Sequence, residues 1–477
     1  MIPVTTFASE KIAVFGLGRS GLCAALALGA GGANVVAWDD VVERRTAAAA
    51  RGVHLVNFAS AGFSGVHCLV LSPGVPLTHP APHPVVGMAL SSGVEVLGDV
   101  ELLARSVSGA RMVGITGTNG KSTVTALLGH LMRSAGESVQ VGANLGEPAL
   151  SLEPLDSSGT FVLELSSYQL DLVKTATFNV AVWTNLSPDH LDRHGGIEGY
   201  IDAKKNIFAR QNDTCVAVVG IDDPVSADLA DQLSKSGPGR VIPISCKGSV
   251  TGGVYVVDGQ LYDDIDGYCV EVADLQNIPT LPGQHNWQNA AAAFAAARVC
   301  GLSIASAVGG LATYTGLPHR LEEIAVIDGI RYINDSKATN ISAATRALEC
   351  YSSIYWIAGG RAKDFALGSL DHVLSRVAHV FLIGEAAGPF SKILRDRVPF
   401  TISVTLDVAV AQARDAALAG GNRTSVVLLS PACASFDQYD DFEARGDAFR
   451  SIVQRCETFK TESSKVPFTT PQTGRSA

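Results

Sequence analysis

The chain has 477 residues, more than one hydrophobic core usually serves, so we expect two or three domains. Hydrophobic residues make up 47% and charged residues 17%, a composition that excludes a largely disordered chain. The formal net charge of −10 argues against nucleic acid as the main partner, because phosphate backbones require a basic face.

We expect neither a secretory signal nor a membrane span. Residues 1–11 hold no basic region followed by an apolar run, and no apolar stretch approaches the roughly eighteen residues of a membrane span. The nine cysteines are scattered without a Cys-x-x-Cys pair. We therefore expect a cytoplasmic protein with reduced thiols, without a zinc site and without membrane insertion.

The first block of the chain alternates strands with a helix. The pattern predicts strands at Lys11–Phe15, Ala33–Trp38 and Cys68–Leu71, and a helix at Leu22–Ala30. The turn Gly16-x-Gly18-x-x-Gly21, followed about twenty residues later by Asp39, matches the fingerprint of dinucleotide binding. The residues alone leave three interpretations open: an NAD-type cofactor, another phosphate-bearing ligand, or glycines that serve only packing.

The second block begins with a strand, Arg111–Ile115, that enters the turn Gly117-Thr-Asn-Gly-Lys121-Ser-Thr123. A glycine-rich turn before a helix points backbone N–H groups at a phosphate, and the helix N-terminus adds partial positive charge. Lys121 can neutralise the outer phosphates, and the hydroxyl of Ser122 can reach Mg²⁺. Because Ile115 replaces the first glycine of the usual motif, an ordinary strand–helix turn is the alternative.

Further strands and one helix complete this block, at Phe161–Leu165, Val180–Trp183, Cys215–Val219 and Gln288–Cys300 (the helix). Glu164 lies in an apolar strand, where a cation such as Mg²⁺ or a salt bridge must offset its burial. The loop with Asp189, His190 and Asp192 follows the next strand and favours a metal or substrate role. Lys204 lies on the helical run Tyr200–Ala209, and its residue type alone favours a solvated surface lysine.

Gly316–Arg320 predicts a linker into a third block, with strands at Arg331–Ile333, Ile354–Ala358, Val380–Gly384 and Val426–Leu429. The loop Asn334–Asn340 follows the first of these strands and either holds a carboxylate substrate or is an ordinary turn. The loop Ser430–Asp437 has small residues that let backbone approach a ligand, and we find no base that would make Cys433 a catalytic thiol. The polar residues from about Glu462 onward predict a frayed tail.

Together these motifs resemble those of the muramyl-peptide (Mur) ligases, which build the stem peptide of the bacterial cell wall. Residues 117–123 resemble the ATP loop of that family, Glu164-Leu-Ser-Ser resembles its magnesium strand, and Gly316–Arg320 with Asn334–Asn340 resembles the entry to its third domain. The resemblance covers nearly the whole chain. It implies an α/β fold of three domains with a flexible tail: a Rossmann-like UDP-substrate domain (1–108), a central P-loop ATPase-type domain with a parallel or mixed sheet (109–316), a Rossmann-like amino-acid domain (317–462) and the tail (463–477).

Within the family, Gly16–Gly21, Ser72–Gly74 and Ser430–Gln438 resemble most the branch that adds D-glutamate, and the Asp-Asn-Pro-Arg of the diaminopimelate-adding branch is missing. The resemblance implies a monomeric, ADP-forming ligase that joins D-glutamate to UDP-N-acetylmuramoyl-L-alanine through an acyl phosphate. Such an enzyme serves peptidoglycan synthesis, and with it cell shape and division. The alternatives are an L-alanine-adding ligase, a folylpolyglutamate synthase, an NAD-binding oxidoreductase and a non-catalytic nucleotide-binding regulator.

The resemblance also assigns residues to ligands by position in the motifs. The ATP site would comprise Gly117, Thr118, Asn119, Gly120, Lys121, Ser122, Thr123, Asn286, Asn289, Arg320 and Asp335. The UDP substrate would contact Gly18, Arg19, Ser20, Asp39, Ser72, Gly74, Asn144 and His190. D-Glutamate would contact Lys337, Thr339, Lys363, Ser435 and Phe442, with Arg320 near and Arg361 as a second partner for its side-chain carboxylate.

For the chemistry itself, the resemblance implies catalytic roles for Lys121, His190, Lys204 and Lys337. Lys204, in Tyr-x-x-Ala-Lys, falls where the family carries a carbamylated lysine. Two Mg²⁺ ions would be held by Ser122, Glu164, His190 and the carbamate on Lys204, some through water.

Overall fold

The structure is a computed structural model that describes residues 1–237, 239–362, 370–422 and 424–463, with side chains described up to residue 456. The chain forms two compact units, one spanning Met1–Tyr314 and the other beginning at Thr315. The first unit contains the residues of two predicted domains, and the three-domain division stays a prediction.

The first unit begins with a parallel sheet in the strand order β2-β1-β3-β4. Its strands are β1 (Lys11–Phe15), β2 (Asn34–Trp38), β3 (Cys68–Leu71) and β4 (Glu95–Leu97). Its helices are α1 (Arg19–Ala30), α2 (Val42–Ala50), α3 (Phe58–Ala61), α4 (Pro84–Ser91) and α5 (Asp99–Ser106). The apolar runs of the strands are buried because helices cover both faces of the sheet, as a parallel sheet requires.

A larger mixed sheet follows, in the order β13-β12-β11-β10-β9-β8-β5-β7-β6. Its strands are β5 (Arg111–Thr116), β6 (Val139–Ala143), β7 (Thr160–Glu164), β8 (Val180–Trp183), β9 (Val216–Gly220), β10 (Arg240–Ser245), β11 (Val254–Val257), β12 (Gln260–Asp263) and β13 (Val270–Asp274). Its helices are α6 (Lys121–Ser134), α7 (Ser167–Leu170), α8 (Leu191–His194), α9 (Ile197–Lys205), α10 (Pro224–Ser236), α11 (Gln284–Val299) and α12 (Ile304–Thr313). The pairs β11–β12 and β12–β13 are antiparallel, and the others are parallel.

The two sheets of the first unit share one hydrophobic core. Side chains of α1, such as Leu28, and of α5, such as Leu103, belong to the same buried cluster as Phe161 and Leu163 of the larger sheet. The opposite face of the larger sheet packs against α6, α11 and α12. The alanine-rich helix α11 is buried along most of its length, because small side chains let it lie close to α6 and the strands.

The second unit has one sheet in the order β14-β15-β19-β16-β17-β18, with β14 antiparallel to β15 and the rest parallel. Its strands are β14 (Glu322–Ile327), β15 (Ile330–Asn334), β16 (Ile354–Gly359), β17 (Val377–Ile383), β18 (Phe400–Val404) and β19 (Val426–Leu429). Its helices are α13 (Ile341–Glu349), α14 (Asp371–Leu374), α15 (Ala387–Leu394), α16 (Leu406–Ala419) and α17 (Phe442–Ser463). Separate buried clusters cover the two faces of this sheet.

The predicted α/β class with parallel and mixed sheets is confirmed. Several predicted bounds were wrong. Helix α1 begins at Arg19, three residues before Leu22, because Gly18 already has extended backbone and caps it. Helix α11 begins at Gln284, four residues before the predicted start, while α9 ends at Lys205 inside the run predicted to reach Ala209. Residues 462–463, assigned to the tail, belong to α17, and the rest of the tail lies outside the described residues.

Among the helices that the structure describes, none has the length and apolar character to cross a membrane.

Candidate active site

The turn between β5 and α6 has two positions whose backbone conformation favours glycine. Gly117 has a φ of 138° and Gly120 a φ of 86°. A Cβ on Gly117 would lie 2.0 Å from Thr184 Oγ1, and one on Gly120 would lie 2.1 Å from Asn289 Oδ1. The segment after β8 braces the loop, since Thr118 N donates to Asn185 O at 2.9 Å. We refer to residues 117–120 as the phosphate loop.

Lys121 stands at the N-terminus of α6 and folds back over the phosphate loop. Its Nζ donates to Gly117 O at 3.0 Å and to Thr118 O at 2.9 Å. Ser122 and Thr123 are buried in the first turn of the same helix. A helix N-terminus with a lysine over a glycine loop is a site for an anion such as a phosphate group.

Lys204 lies under the same loop, and the surface position favoured by its residue type was wrong. The side chain is 1% exposed, and its Nζ donates to Gly117 O at 2.8 Å and lies 4.7 Å from the centre of the Tyr200 ring. Burial, and then the positive charge of Lys121, lower the pKa of Lys204 well below its usual range. A buried lysine that loses its proton easily is a nucleophilic amine.

Glu164, at the end of β7, is 2% exposed and only half satisfied. Its Oε1 accepts a hydrogen bond from Asn144 Nδ2 at 2.6 Å, whereas its Oε2 has no hydrogen-bond partner among the described residues. A buried carboxylate oxygen left in this state is costly unless a cation completes it. Glu164 therefore fits the role of a ligand for a divalent cation.

His190 has a left-handed backbone with a φ of 52° and a side chain that is 44% exposed. Its ring packs against Tyr168 at 5.2 Å, and its Nε2 lies 3.5 Å from Asp189 Oδ2. Within the described ranges no three His, Cys, Asp or Glu side chains gather into a metal site. A metal near Glu164 would therefore need hydroxyl, water or modified-lysine ligands as well.

A cleft of about 530 Å³ opens at the carboxyl end of the first sheet. It brings together six residues predicted for the UDP substrate, namely Gly18, Arg19, Ser20, Ser72, Gly74 and Asn144. Arg44 and Gln169 also line it and were missed. Gln169 takes part in a capping box with Ser166 at the start of α7.

Two residues predicted for the UDP substrate, Asp39 and His190, do not line this cleft. Asp39 is buried under the first glycine turn, where it accepts hydrogen bonds from Leu17 N at 2.5 Å and from Val41 N at 2.8 Å. Arg44 lies 3.5 Å from the same carboxylate. Asp39 thus holds the turn and an arginine of the cleft in place.

The two asparagines predicted to contact ATP lie at the start of α11, and both are buried. Asn289 Nδ2 donates to Asn286 Oδ1 at 3.2 Å, and Asn286 Nδ2 donates to Pro282 O at 2.8 Å. Asn289 also abuts Gly120, so the structure brings this pair beside the phosphate loop.

In the second unit, residues predicted to contact D-glutamate or ATP lie near the carboxyl ends of β15 and β19. Lys337 Nζ lies 5.2 Å from the centre of the Phe442 ring, and Ser435 is 2% exposed. Asp335 accepts a hydrogen bond from Ser430 Oγ at 2.8 Å. Burial raises the pKa of Asp335 to about 7, against the lowering effect of Ser430 and of the Arg320 charge.

The remaining predicted residues of the second unit are placed as follows. The backbone N–H of Thr339 donates to Lys337 O at 2.9 Å, in the loop after β15. Arg361 forms a bidentate ion pair with Glu385, at 3.1 and 2.9 Å. This arginine, predicted as a second partner for the side-chain carboxylate of D-glutamate, is therefore already paired with a carboxylate of the protein. Lys363 lies outside the described residues.

Comparisons with known proteins point to one family. The family model of the Mur ligase middle domain matches residues 115–297. The UDP-N-acetylmuramoylalanine–D-glutamate ligase of Caulobacter vibrioides is 50% identical over 459 residues, covering 95% of this chain and 97% of the relative. The enzyme of the same name from Rhodospirillum rubrum is 48% identical over 458 residues, with 95% and 96% covered.

Solved structures show the same fold. UDP-N-acetylmuramate-alanine ligase MurC of Thermotoga maritima has a TM-score of 0.56 and 16% identity, covering 94% of this chain and 99% of the other. MurF ligase of Thermotoga maritima in complex with ADP has a TM-score of 0.55 and 17% identity, covering 82% and 90%. Half of the residues are shared with the Caulobacter ligase over nearly the full length of both chains. The chain therefore belongs to the Mur ligase family.

Proposed function

We propose that this chain is an ATP-dependent, ADP-forming ligase that joins D-glutamate to UDP-N-acetylmuramoyl-L-alanine in peptidoglycan biosynthesis. The observation that carries the proposal is the 50% identity with the Caulobacter ligase over nearly the full length of both chains. We further propose a monomer that acts in the cytoplasm. Its nine cysteines all lie in the part of the chain that the structure describes and form no disulfide there, which agrees with a reducing compartment.

The first proposed step is phosphoryl transfer. A carboxylate oxygen of the UDP substrate attacks the γ-phosphorus of ATP, the bond to the β-phosphate oxygen breaks, and an acyl phosphate and ADP result. The N–H groups at the N-terminus of α6 would hold the phosphates, and Lys121 would neutralise the charge that spreads over them. The position of Lys121 Nζ over Gly117 O and Thr118 O supports this role.

The second proposed step forms the amide. The amine of D-glutamate attacks the acyl carbon, a tetrahedral intermediate forms, and phosphate leaves while the nitrogen loses a proton. Lys337, Thr339, Ser435 and Phe442, together with Lys363, would hold and orient the amino acid. Orientation of the amine within reach of the acyl carbon accounts for much of the rate enhancement in such reactions.

Mg²⁺ fits the donors that the first unit offers. The half-satisfied Glu164 supplies a carboxylate oxygen, and Ser122, His190 and Lys204 are the other proposed ligands of two ions. When bound, Mg²⁺ would shield the negative charges of the phosphates and so favour attack by an anion. Lys204 would serve as a carbamate, since a buried lysine with a lowered pKa presents the neutral amine that reacts with CO₂.

Phosphate release from Mg-ATP and UDP-N-acetylmuramoyl-L-alanine tests the proposal, with D-glutamate compared against L-glutamate, L-alanine and diaminopimelate. We expect release that depends on D-glutamate. Release with another amino acid instead would retain the ligase chemistry and refute the proposed amino acid. A folded protein that releases phosphate with none of them would refute the proposed reaction, and an absorbance titration with NADH would then test the oxidoreductase alternative.

A further inference from the structure

Arg445, in the first turns of α17, is a buried cation. The residue is 1% exposed, and within the described residues its guanidinium forms no ion pair with a carboxylate. Burial lowers the pKa of Arg445 to about 10, so the side chain stays charged near neutral pH. Burial of a charge without an ion pair costs free energy. We therefore asked which backbone segments the guanidinium positions and which charged ligand it could attract.

The guanidinium of Arg445 joins separate parts of the second unit. Its Nε donates to Ser336 Oγ at 3.0 Å, and its Nη2 donates to Ser336 O at 2.9 Å and to Cys433 O at 3.1 Å. Ser336 Oγ donates in turn to Phe442 O at 2.8 Å. One side chain therefore ties the loop after β15, the loop after β19 and the start of α17 together.

A third loop lies against the same guanidinium. Gly360 follows β16 with a φ of 128°, and a Cβ there would lie 3.2 Å from Arg445 Nη1 and 2.3 Å from Ala434 O. The next residue, Arg361, exchanges backbone hydrogen bonds with Ala434 at 2.9 and 3.0 Å. Because β15, β19 and β16 are neighbours in the sheet, Arg445 lies beneath the carboxyl ends of three adjacent strands.

These loops carry the residues proposed to hold the amino acid. Lys337 follows Ser336 directly, Ser435 lies two residues after Cys433, and Phe442 begins α17. The fork of Arg445 can fix all three at once, whereas a lysine could retain the charge but not the planar geometry. Nη1 has no hydrogen-bond acceptor among the described residues, and the charge of the guanidinium is offset in part by the carboxylate of Asp437 on the loop after β19.

We propose that Arg445 is a positioning residue for the amino-acid substrate. It sets the spacing of Lys337, Ser435 and Phe442, and its charge favours a dicarboxylate over a neutral amino acid. This inference rests on the proposed function, because the amino acid it concerns is the D-glutamate assigned there.

The test compares Arg445→Lys and Arg445→Met in the full chain, with the KM of each substrate measured by phosphate release. We expect the KM for D-glutamate to rise about tenfold in Arg445→Lys and about a hundredfold in Arg445→Met, because hydrogen bonds from a charged group are lost. The KM for UDP-N-acetylmuramoyl-L-alanine should stay within about twofold of wild type, because the loops that Arg445 joins carry no residue proposed to contact that substrate.

Arg450 offers a matched control on the same helix. It forms a bidentate ion pair with Glu322, at 2.8 and 3.0 Å. Arg450→Met should lower the melting temperature and leave the KM for D-glutamate unchanged. If Arg445→Met does not fold, the KM for D-glutamate is compared between Arg445→Lys and Arg450→Lys, and only Arg445→Lys should show a raised KM.

A merely structural Arg445 would lower the melting temperature without raising the KM for D-glutamate, or would raise the KM of all three substrates alike. Either result overturns the inference. A wild-type protein that is folded yet shows no D-glutamate-dependent release overturns the proposed function itself, so the two failures are distinguishable.

Discussion

Two glycine-rich turns join a strand to a helix in the first unit, and the charges beneath them have opposite signs. In the first turn, between β1 and α1, Gly16 has a φ of 87°, and a Cβ on Gly21 would lie 1.7 Å from Gly16 O. The carboxylate of Asp39 lies under this turn and accepts the Leu17 N–H. In the second turn, the phosphate loop, Lys121 lies above the glycines and Lys204 lies below them.

The comparison shows that similar backbones serve different tasks. In the first turn, the Leu17 N–H donates to the carboxylate of Asp39. The two cations near this turn, Arg19 and Arg44, line a cleft. That arrangement suits recognition of a ligand that does not react there. The phosphate loop concentrates two lysines around its glycines, which suits a group whose charge changes during the reaction.

The largest expected effect on activity comes from removing one cation from each turn, Lys121 from the phosphate loop and Arg19 from the first turn. Lys121→Ala should lower turnover about 10³-fold, because a preorganised positive charge at the transferring phosphoryl group is removed. Arg19→Ala should instead raise the KM for the UDP substrate about tenfold and largely keep kcat, since it removes uniform binding. Steady-state phosphate release checks both, with circular dichroism as the control for folding. A Lys121→Ala variant with near-normal turnover would contradict the assignment of the phosphate loop.

The second prediction concerns the buried lysine of the phosphate loop. Lys204→Ala should lose activity about 10²-fold, and bicarbonate or acetate should restore part of it, because a small carboxylate can replace the proposed carbamate. Its neighbour Lys205, only partly buried at the end of α9, provides the control. Lys205→Ala should keep its activity and should not respond to acetate. Full activity of Lys204→Ala without any added carboxylate would remove the proposed role.

Sequence patterns predicted the elements that carry this comparison, because buried strands read as apolar runs and glycine turns have a fixed spacing. The apolar strand Val180–Trp183 was predicted to the residue. The residue type of Lys204 pointed to the surface, since burial comes from the packing of α9 under a distant loop, which no local pattern encodes. For the same reason Arg445 was missed: its partner Ser336 is 109 residues away, and Cys433, 12 residues away, lies on a separate loop.

Residues predicted for one ligand lie together where they come from short motifs. The loop residues 117–123 and the pair Asn286 and Asn289 lie together as expected. Asp39 was expected to border a ligand, yet its carboxylate holds the turn. A fingerprint gives the position of an acidic residue in sequence, but whether it faces a ligand or its own backbone depends on tertiary contacts.

The third prediction tests the glycines themselves. Gly120→Ala should destabilise the protein by about 2 kcal/mol, because a positive φ and a contact 2.1 Å from Asn289 Oδ1 both oppose a Cβ. Gly18→Ala should change stability by less than about 0.5 kcal/mol, since its φ is −65° and no atom lies within 4 Å of the added Cβ. Urea unfolding of both variants measures the difference. Equal losses would show that the two turns are equally strained.

The smallest effect concerns two carboxyl groups of α5 with opposite pKa shifts. Asp99 is buried near Ser20 of the helix that follows the first turn, and burial raises its pKa to about 6. Glu101 is also buried, but hydrogen bonds from Thr175, Lys174 and Arg105 outweigh burial and hold its pKa at about 2. The raised pKa of Asp99 contributes stability below pH 4, which is lost as the pH rises through about 6.

Asp99→Asn should therefore stabilise the protein by about 1 kcal/mol at pH 8, where the native carboxyl must ionise in a buried place, and the gain should vanish below about pH 4. Glu101→Gln should do the reverse: the depressed pKa stabilises above the unfolded value of 4.5, so the variant should lose stability at pH 8 and the loss should shrink as the pH falls towards 2. Urea unfolding across this range measures both. A gain for Asp99→Asn that does not depend on pH would show that packing, not ionisation, sets the stability at this position.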